Sequence, residues 1–215
     1  MGIVIYWLYE RALIRNLHIL PANICFMLTE NDLRKAPDKL YEVTRWCRDI
    51  SAHVGKKKKN GEDGNTNIAG ITFHISTPNP ESVTPYLSQI EKIGKIAHLS
   101  LHIGETDESC GEGMAVCVAV GKSGREEIAG CIRAMARKGL SPESVTEETF
   151  EQYLTFRYAP DLVIKTGGDH LTDFLIWQSV YSELFFSDVN WRWFRKVDFL
   201  RALRDYQARV RRFGK

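Results

Sequence analysis

The sequence predicts an α/β fold, a single domain with a central, mainly parallel sheet flanked by helices. Three observations predict it. Short apolar runs recur at 19–28, 68–76, 98–104, 114–120 and 162–164. Helical patterns fill the gaps between them, and strands joined by helices pair in parallel. The chain has 215 residues, 44% hydrophobic and 26% charged, which suits one domain over residues 1–215 with a full core.

Residues 2–17 carry an apolar and aromatic face opposite Glu10, Arg11 and Arg15, and read as an amphipathic first helix. Such a helix packs on the domain. Tyr6, Trp7 and Tyr9 also suit a membrane interface or the cover of a lipid tail, and the two roles are compatible. The first core strand follows at 19–28, with Pro21 at its start. A helix over 38–54 buries Leu40, Val43, Cys47 and Ile50 at helical spacing. Residues 55–67 are rich in glycine, charge and amide groups, and read as a flexible, solvated loop. Its run Lys56 to Lys59 is a solvated charge cluster or a contact for acidic lipid headgroups.

After the strand at 68–76, residues 81–95 read as a helix. In the strand at 98–104, His98, Ser100 and His102 share one face; two histidines there, without a third ligand, make a polar face and not a zinc site. Residues 106–113 read as a turn and 114–120 as a buried strand. Gly121-Lys122-Ser123 lacks the spacing of a nucleotide-binding phosphate loop. Residues 127–138 are helical up to Gly139, a second helical stretch runs from 141 to about 154, and the last helix, 197–213, buries Phe199, Leu203, Tyr206 and Val210. The carboxyl ends of the strands near Leu28, Ser76, Val120 and Lys165 are expected to share one cleft.

A formal net charge of +2 argues against a dedicated nucleic-acid binder. The cysteines Cys25, Cys47, Cys110, Cys117 and Cys131 are scattered, with no C-x-x-C pair, as buried thiols of a reducing compartment are. There is no signal-peptide pattern and no run near the ~20 apolar residues that span a bilayer. A cytoplasmic protein, soluble or peripheral at a membrane, is expected.

The stretch 161–186, DLVIKTGGDHLTDFLIWQSVYSELFF, organises the rest. A strand ends in the cation Lys165, and Gly167 and Gly168 break the pattern. Phe174, Trp177, Tyr181 and Leu184 then lie at i, i+3, i+7 and i+10, which predicts a helix. A strand, a glycine turn and a helix start form an anion cradle of free N–H groups. Lys165, His170 and Thr172 add side-chain donors, and Glu183, about three turns along, is placed to share a metal. The chemistry is that of a phosphate or diphosphate site.

This stretch resembles the C-terminal signature of the cis-prenyltransferases, the undecaprenyl and dehydrodolichyl diphosphate synthases, which reads roughly DLxIRTxGExRxSNFLxWQxxYxExxF. The segments RWCRD (45–49), FHISTPN (73–79) and KSGREEI (122–128), and the run from Arg201 to Gly214, are also similar to that family. The resemblance implies diphosphate binding by Lys165, Gly167, Gly168, His170 and Thr172, and pocket roles for Asn31 and Asn79. It further implies magnesium bound through Glu183 with Asp169, isoprenoid diphosphates as substrates, and a tail, Arg212 and Gly214, that reaches into a partner subunit's active site.

The departures are as informative. The family's first strand ends in D-G-N-R-R-W; here Thr29 stands where the aspartate belongs, Glu30 where the glycine does, and Asn31 alone matches, followed by Asp32 and Leu33. Lys165 replaces an arginine, Asp169 a glutamate, His170 falls near a second arginine, and Asp173 replaces an asparagine. A damaged allylic site beside an intact tail resembles the non-catalytic partner class of heteromeric cis-prenyltransferases, to which the Nogo-B receptor belongs. Three readings follow. The chain is an accessory subunit bound to a homologous catalytic subunit, with magnesium held in the complex. Alternatively it is a divergent homodimeric synthase using Glu30 or Asp32 for the metal. A third reading is a lipid- or partner-binding scaffold.

Overall fold

Two parallel strands, β1 (Asn23–Thr29) and β2 (Gly70–Ser76), form the middle of the molecule in register from Asn23 against Gly70 to Thr29 against Ser76. Both faces of β1 are buried, with Ile24, Phe26 and Leu28 on one side and Cys25 and Met27 on the other. This is why its sequence is a continuous apolar run and not an alternating one. A computed structural model describes residues 2–57, 64–104, 106–121, 123–154, 159–168 and 175–209 of the chain.

The remaining strands are β3 (His98–Ile103), β4 (Thr106–Cys110), β5 (Ala115–Val120), β6 (Leu162–Thr166) and β7 (Glu183–Ser187). The sheet order is β4-β3-β5-β2-β1-β6-β7, and every pairing is parallel except β3 with β4. The expected α/β domain with a mainly parallel sheet is the fold observed. The ends of β5, β2, β1 and β6 lie side by side, but the cleft at this edge is lined by strand residues of β1 and β6 and by none of β2 or β5, so the four ends are neighbours without sharing it.

The helices are α1 (Gly2–Asn16), α2 (Glu30–Lys35), α3 (Lys39–Gly55), α4 (Leu87–Glu91), α5 (Gly124–Arg137), α6 (Glu147–Glu151) and α7 (Lys196–Ala208). The stripe of Leu40, Val43, Cys47 and Ile50 on α3 is fully buried, as its spacing predicts. The buried Phe199, Leu203 and Tyr206 do the same on α7; Val210 lies outside the described residues. At the heart of the larger core, Phe26 stacks on Phe73 with centroids 5.4 Å apart and meets Trp191 edge-on at 5.8 Å. Phe194 and Phe199 close the cluster around it. Each such side chain contributes about 2–3 kcal/mol by leaving water, and the ring pairs add about 0.5–1.5 kcal/mol each.

Several sequence expectations are corrected. Residues 106–113 are not simply a turn: Thr106–Cys110 forms β4, antiparallel to β3. Its polar sequence, TDESC, carries no strand signal because every residue of it is exposed. The stretch 81–95 is not one helix. A 3-10 turn over Pro80–Tyr86, α4 and a second 3-10 turn over Lys92–Lys95 divide it, since Pro85 lacks an N–H and disrupts the α-helical ladder. The stretch 141–154 likewise splits into a 3-10 turn at Pro142–Ser144 and α6, which Thr146 caps. Most consequential is the expected helix after Gly168. Residues 176–181 form turns, and Leu184 belongs to strand β7, so the 3-7-10 spacing does not mark a helical face. Trp177 instead packs on Phe150, with centroids 4.5 Å apart.

The N-terminal helix packs on the domain through Leu13, and Leu17 just beyond it is buried too. Trp7 and Leu8 remain exposed, and α1 also touches α7. Of the loop 55–67, residues 58–63 lie outside the described residues. Among the described residues, no helix is long and apolar enough to cross a membrane.

Candidate diphosphate cleft

The cleft forms where β1 and β6 end. It measures about 340 Å³, and Thr29, Asp32, Lys35, Lys165, Thr166 and Arg192 are among the residues lining it. β6 runs parallel to β1, pairing Lys165 with Phe186 of β7 on its other side, and so delivers Lys165 beside the start of α2. Three cations, Lys35, Lys165 and Arg192, therefore converge on one concavity with Asp32 as the carboxylate. The Thr166 hydroxyl is buried and has no partner among the described residues. Cations with a free hydroxyl suit an anion.

The backbone contribution differs from the expectation. Gly167 and Gly168 adopt positive φ of 74° and 138°, as a glycine turn implies. Their N–H groups, however, point to β7 and beyond: Gly167 donates to Ser187 O at 2.8 Å and Val189 O at 3.1 Å, and Gly168 to Ser187 O at 3.5 Å. Those two N–H groups are spent on joining strands, not free to cradle a ligand. His170, Thr172 and Asp169 lie outside the described residues, as do Arg212 and Gly214.

The end of β1 is shaped by a capping box. Thr29 caps α2, its Oγ1 accepting from the Asp32 N–H at 3.2 Å, while Asp32 Oδ2 accepts from the Thr29 N–H at 3.0 Å and hydroxyl at 2.8 Å. Reciprocal bonds of this kind satisfy two otherwise orphaned donors. Glu30, one residue on, accepts from Thr77 Oγ1 at 2.7 Å. Hydrogen bonds from Thr77 and then Ser82 hold its carboxyl below the usual glutamate range. Asn31 lines the cleft and accepts from Arg34 at 2.9 Å. Asn79 lies elsewhere, capping the 3-10 turn after β2 through a 3.2 Å bond from the Glu81 N–H.

Glu183 is not near Lys165 in this chain. It opens β7 opposite Leu162, at the far end of the strand from Thr166. Its Oε2 accepts from Arg209 Nη1 at 2.9 Å, an interaction that leads the causes raising the Arg209 pKa. The helix that would have carried Glu183 toward the glycines is absent among the described residues. A hard dication takes several carboxylate oxygens; among the described residues Asp32 is the carboxylate lining the cleft, its Oδ2 is held in the cap, and three cations share the space, a donor set that suits an anion better than magnesium.

Sequence reasoning missed Lys35 and Arg192. Each reaches the cleft from a segment far from the glycine turn, Lys35 at the end of α2 and Arg192 within the 3-10 turn Trp191–Trp193. It also missed Asp161, whose carboxylate accepts from the N–H groups of Ala22 at 2.7 Å and Asn23 at 3.0 Å and sets β6 against β1.

A family model described as putative undecaprenyl diphosphate synthase matches residues 86–214, which include the whole of β6, the glycine turn and β7. The chain belongs to the cis-prenyltransferase family. Among relatives of this chain, the short-chain Z-isoprenyl diphosphate synthase of Mycobacterium leprae is 48% identical, over 85% of this chain and 78% of its own length. Isoprenyl transferase 1 of Corynebacterium efficiens is 30% identical over 99% of this chain and 98% of its own. A probable undecaprenyl diphosphate synthase from Campylobacter jejuni shares the fold with a TM-score of 0.63, at 16% identity, covering 93% of this chain and all of that one. Lavandulyl diphosphate synthase from Lavandula x intermedia, solved with dimethylallyl diphosphate, gives 0.59 at 20% identity, covering 91% and 99%.

Proposed function

We propose that this chain is the accessory subunit of a heteromeric cis-prenyltransferase, bound to a homologous catalytic subunit that makes a long-chain polyprenyl diphosphate. The observation that carries this reading is the capping box at the end of β1. The family resemblance puts a magnesium-organising aspartate at position 29; here Thr29 caps a helix, and the neighbouring Asp32 is bound back onto it. Departure of diphosphate requires the developing charge to be met by a metal or fixed cations. With no carboxylate at position 29 and Asp32 Oδ2 held in the cap, this reading assigns the magnesium of the complex to the partner's side.

Two further observations support the reading. Ile176, Val180, Tyr181 and Phe186 are large apolar side chains left exposed around β7, the composition expected of a surface that another subunit covers. Arg209, the last described residue before the tail, is fastened to Glu183 at the opposite end of β7 from this chain's own cleft. In this reading Arg212 and Gly214, which lie outside the described residues, serve isopentenyl diphosphate in the partner, as the family resemblance implies.

The test is turnover of farnesyl diphosphate and labelled isopentenyl diphosphate with magnesium, by the pure chain and by the chain mixed with an intact homologue. The expected result is silence alone and activity in the mixture, reduced by Arg212→Ala. Turnover by the pure chain overturns the accessory reading in favour of a homodimeric synthase. A mixed complex indifferent to this chain leaves only the scaffold.

A further inference from the structure

A second concavity, of about 510 Å³, opens between α1, α3 and the first turn of α7, away from the sheet ends. Arg11 and Arg15, one helical turn apart, line it from α1. His53 and Lys57 come from the end of α3, and Lys196 from the start of α7. The acidic residue in the lining is Asp49, which lies 3.5 Å from Arg48. Among the described residues, none of Arg11, Arg15, His53, Lys57 and Lys196 forms a salt bridge. Lys57 Nζ donates to the Ile14 carbonyl at 3.1 Å, a neutral acceptor.

The groove is electrostatically incomplete. Burial, followed by the charges of Lys57, Lys56 and Lys196, lowers the His53 pKa; burial and then Arg15 lower that of Lys57. Four permanent cations drawn from three elements repel one another, and an anion seated among them offsets that repulsion while accepting several charge-assisted hydrogen bonds. On α1 next to the groove, Trp7 and Leu8 are 55% and 54% exposed, and the Arg11 guanidinium lies 4.8 Å from the Trp7 ring centroid. A basic face beside an exposed indole and an aliphatic side chain suits the boundary between headgroups and acyl chains.

We propose that the groove between α1, α3 and α7 binds a phosphate group, carried by an anionic lipid headgroup or by a soluble phosphoester. The site is separate from the sheet-end cleft and does not depend on whether the chain is an accessory subunit. A lipid phosphate would bring α1 to the membrane with Trp7 and Leu8 toward the acyl chains.

The experiment measures the full chain against vesicles of phosphatidylcholine with and without phosphatidylglycerol, and separately against glycerol phosphate by titration calorimetry. A lipid site gives binding to the phosphatidylglycerol vesicles that weakens with added salt. Arg15→Gln with Lys196→Gln weakens it roughly 25-fold, at about fivefold per cation. Asp49→Asn tightens it, a change that damage to the fold cannot mimic. Binding of glycerol phosphate alone, with the same two responses, identifies a soluble ligand and also upholds the site. The proposal is overturned if neither probe binds, or if binding ignores all three substitutions.

Discussion

Arg209, the residue that follows α7, donates to Glu183, the residue that opens β7, across 2.9 Å. Asp205 accepts from the same guanidinium at 2.6 Å. The pair ties the C-terminal end of α7 to the start of β7. Because the partners are partly exposed, breaking it costs about 1 kcal/mol or less. Arg209→Ala and Glu183→Gln are each expected to lower activity of the mixed complex while barely changing thermal stability. In a double-mutant cycle the two effects are non-additive; full additivity would show that the residues act separately.

Thr29→Ala removes the cap of α2 and is expected to destabilise the protein by about 1 kcal/mol. Thr29→Asp keeps a capping oxygen but puts a second carboxylate where the Thr29 hydroxyl donates to Asp32 Oδ2, and is expected to cost about 1 kcal/mol as well. Denaturant unfolding measures both. Neither substitution gives turnover by the chain alone, since Glu30 stays tied to Thr77 and the cleft keeps its cations.

Gly167→Ala forces a side chain into the left-handed region at φ 74°, and the new Cβ lies 2.9 Å from Asn190 Oδ1. The backbone strain alone costs about 1–2 kcal/mol. A fall in melting temperature of about 2–8 °C is expected for a chain of this size. An unchanged melting temperature would mean the turn relaxes freely.

His53 gives a pH dependence with a definite sign. Its folded pKa lies below the ordinary value, burial being the first cause and the charges of Lys57, Lys56 and Lys196 the next; Arg11, Arg15 and Asp49 line the same groove. Between the folded and unfolded pKa values, the unfolded chain binds more protons. The His53 contribution to stability is therefore present above the unfolded value of about 6.5 and is lost as pH falls from there through the folded pKa. His53→Gln is expected to flatten that part of the stability profile. Glycerol phosphate is expected to raise the His53 pKa in an imidazole titration followed by NMR.

Much of the fold was legible because burial leaves a periodic trace. β1 and β5 are buried on both faces and appear as continuous apolar runs, β6 begins as one up to Lys165, and β2 keeps Ile71, Phe73 and Ile75 around Thr72 and His74. The stripe on α3 recurs every three or four residues for the same reason. β4 was illegible since its five residues are exposed and it is held at the sheet edge by backbone pairing to β3. The segment before β7 misled in the opposite way: Trp177 serves the small cluster around Phe150, and Leu184 serves the sheet, so a shared spacing joined residues with separate tasks. In the cleft, Lys165 and the glycines were readable from the signature. The loss of the Gly167 and Gly168 N–H groups to β7 was not, because those acceptors are Ser187 and Val189, reached only once the sheet is assembled. The basic groove was half visible as Arg11 and Arg15, while His53, Lys57 and Lys196 arrive through tertiary packing.

The two margins of the sheet have opposite character. At one, β4 turns antiparallel and presents Asp107 and Glu108, both exposed, so a further chain meets charge where it would need to add hydrogen bonds. At the other, among the described residues, β7 exposes Phe186, while Leu184 and Phe185 pack inward against the two core clusters. A sheet with one repellent side and one adhesive side cannot propagate head to tail into a filament.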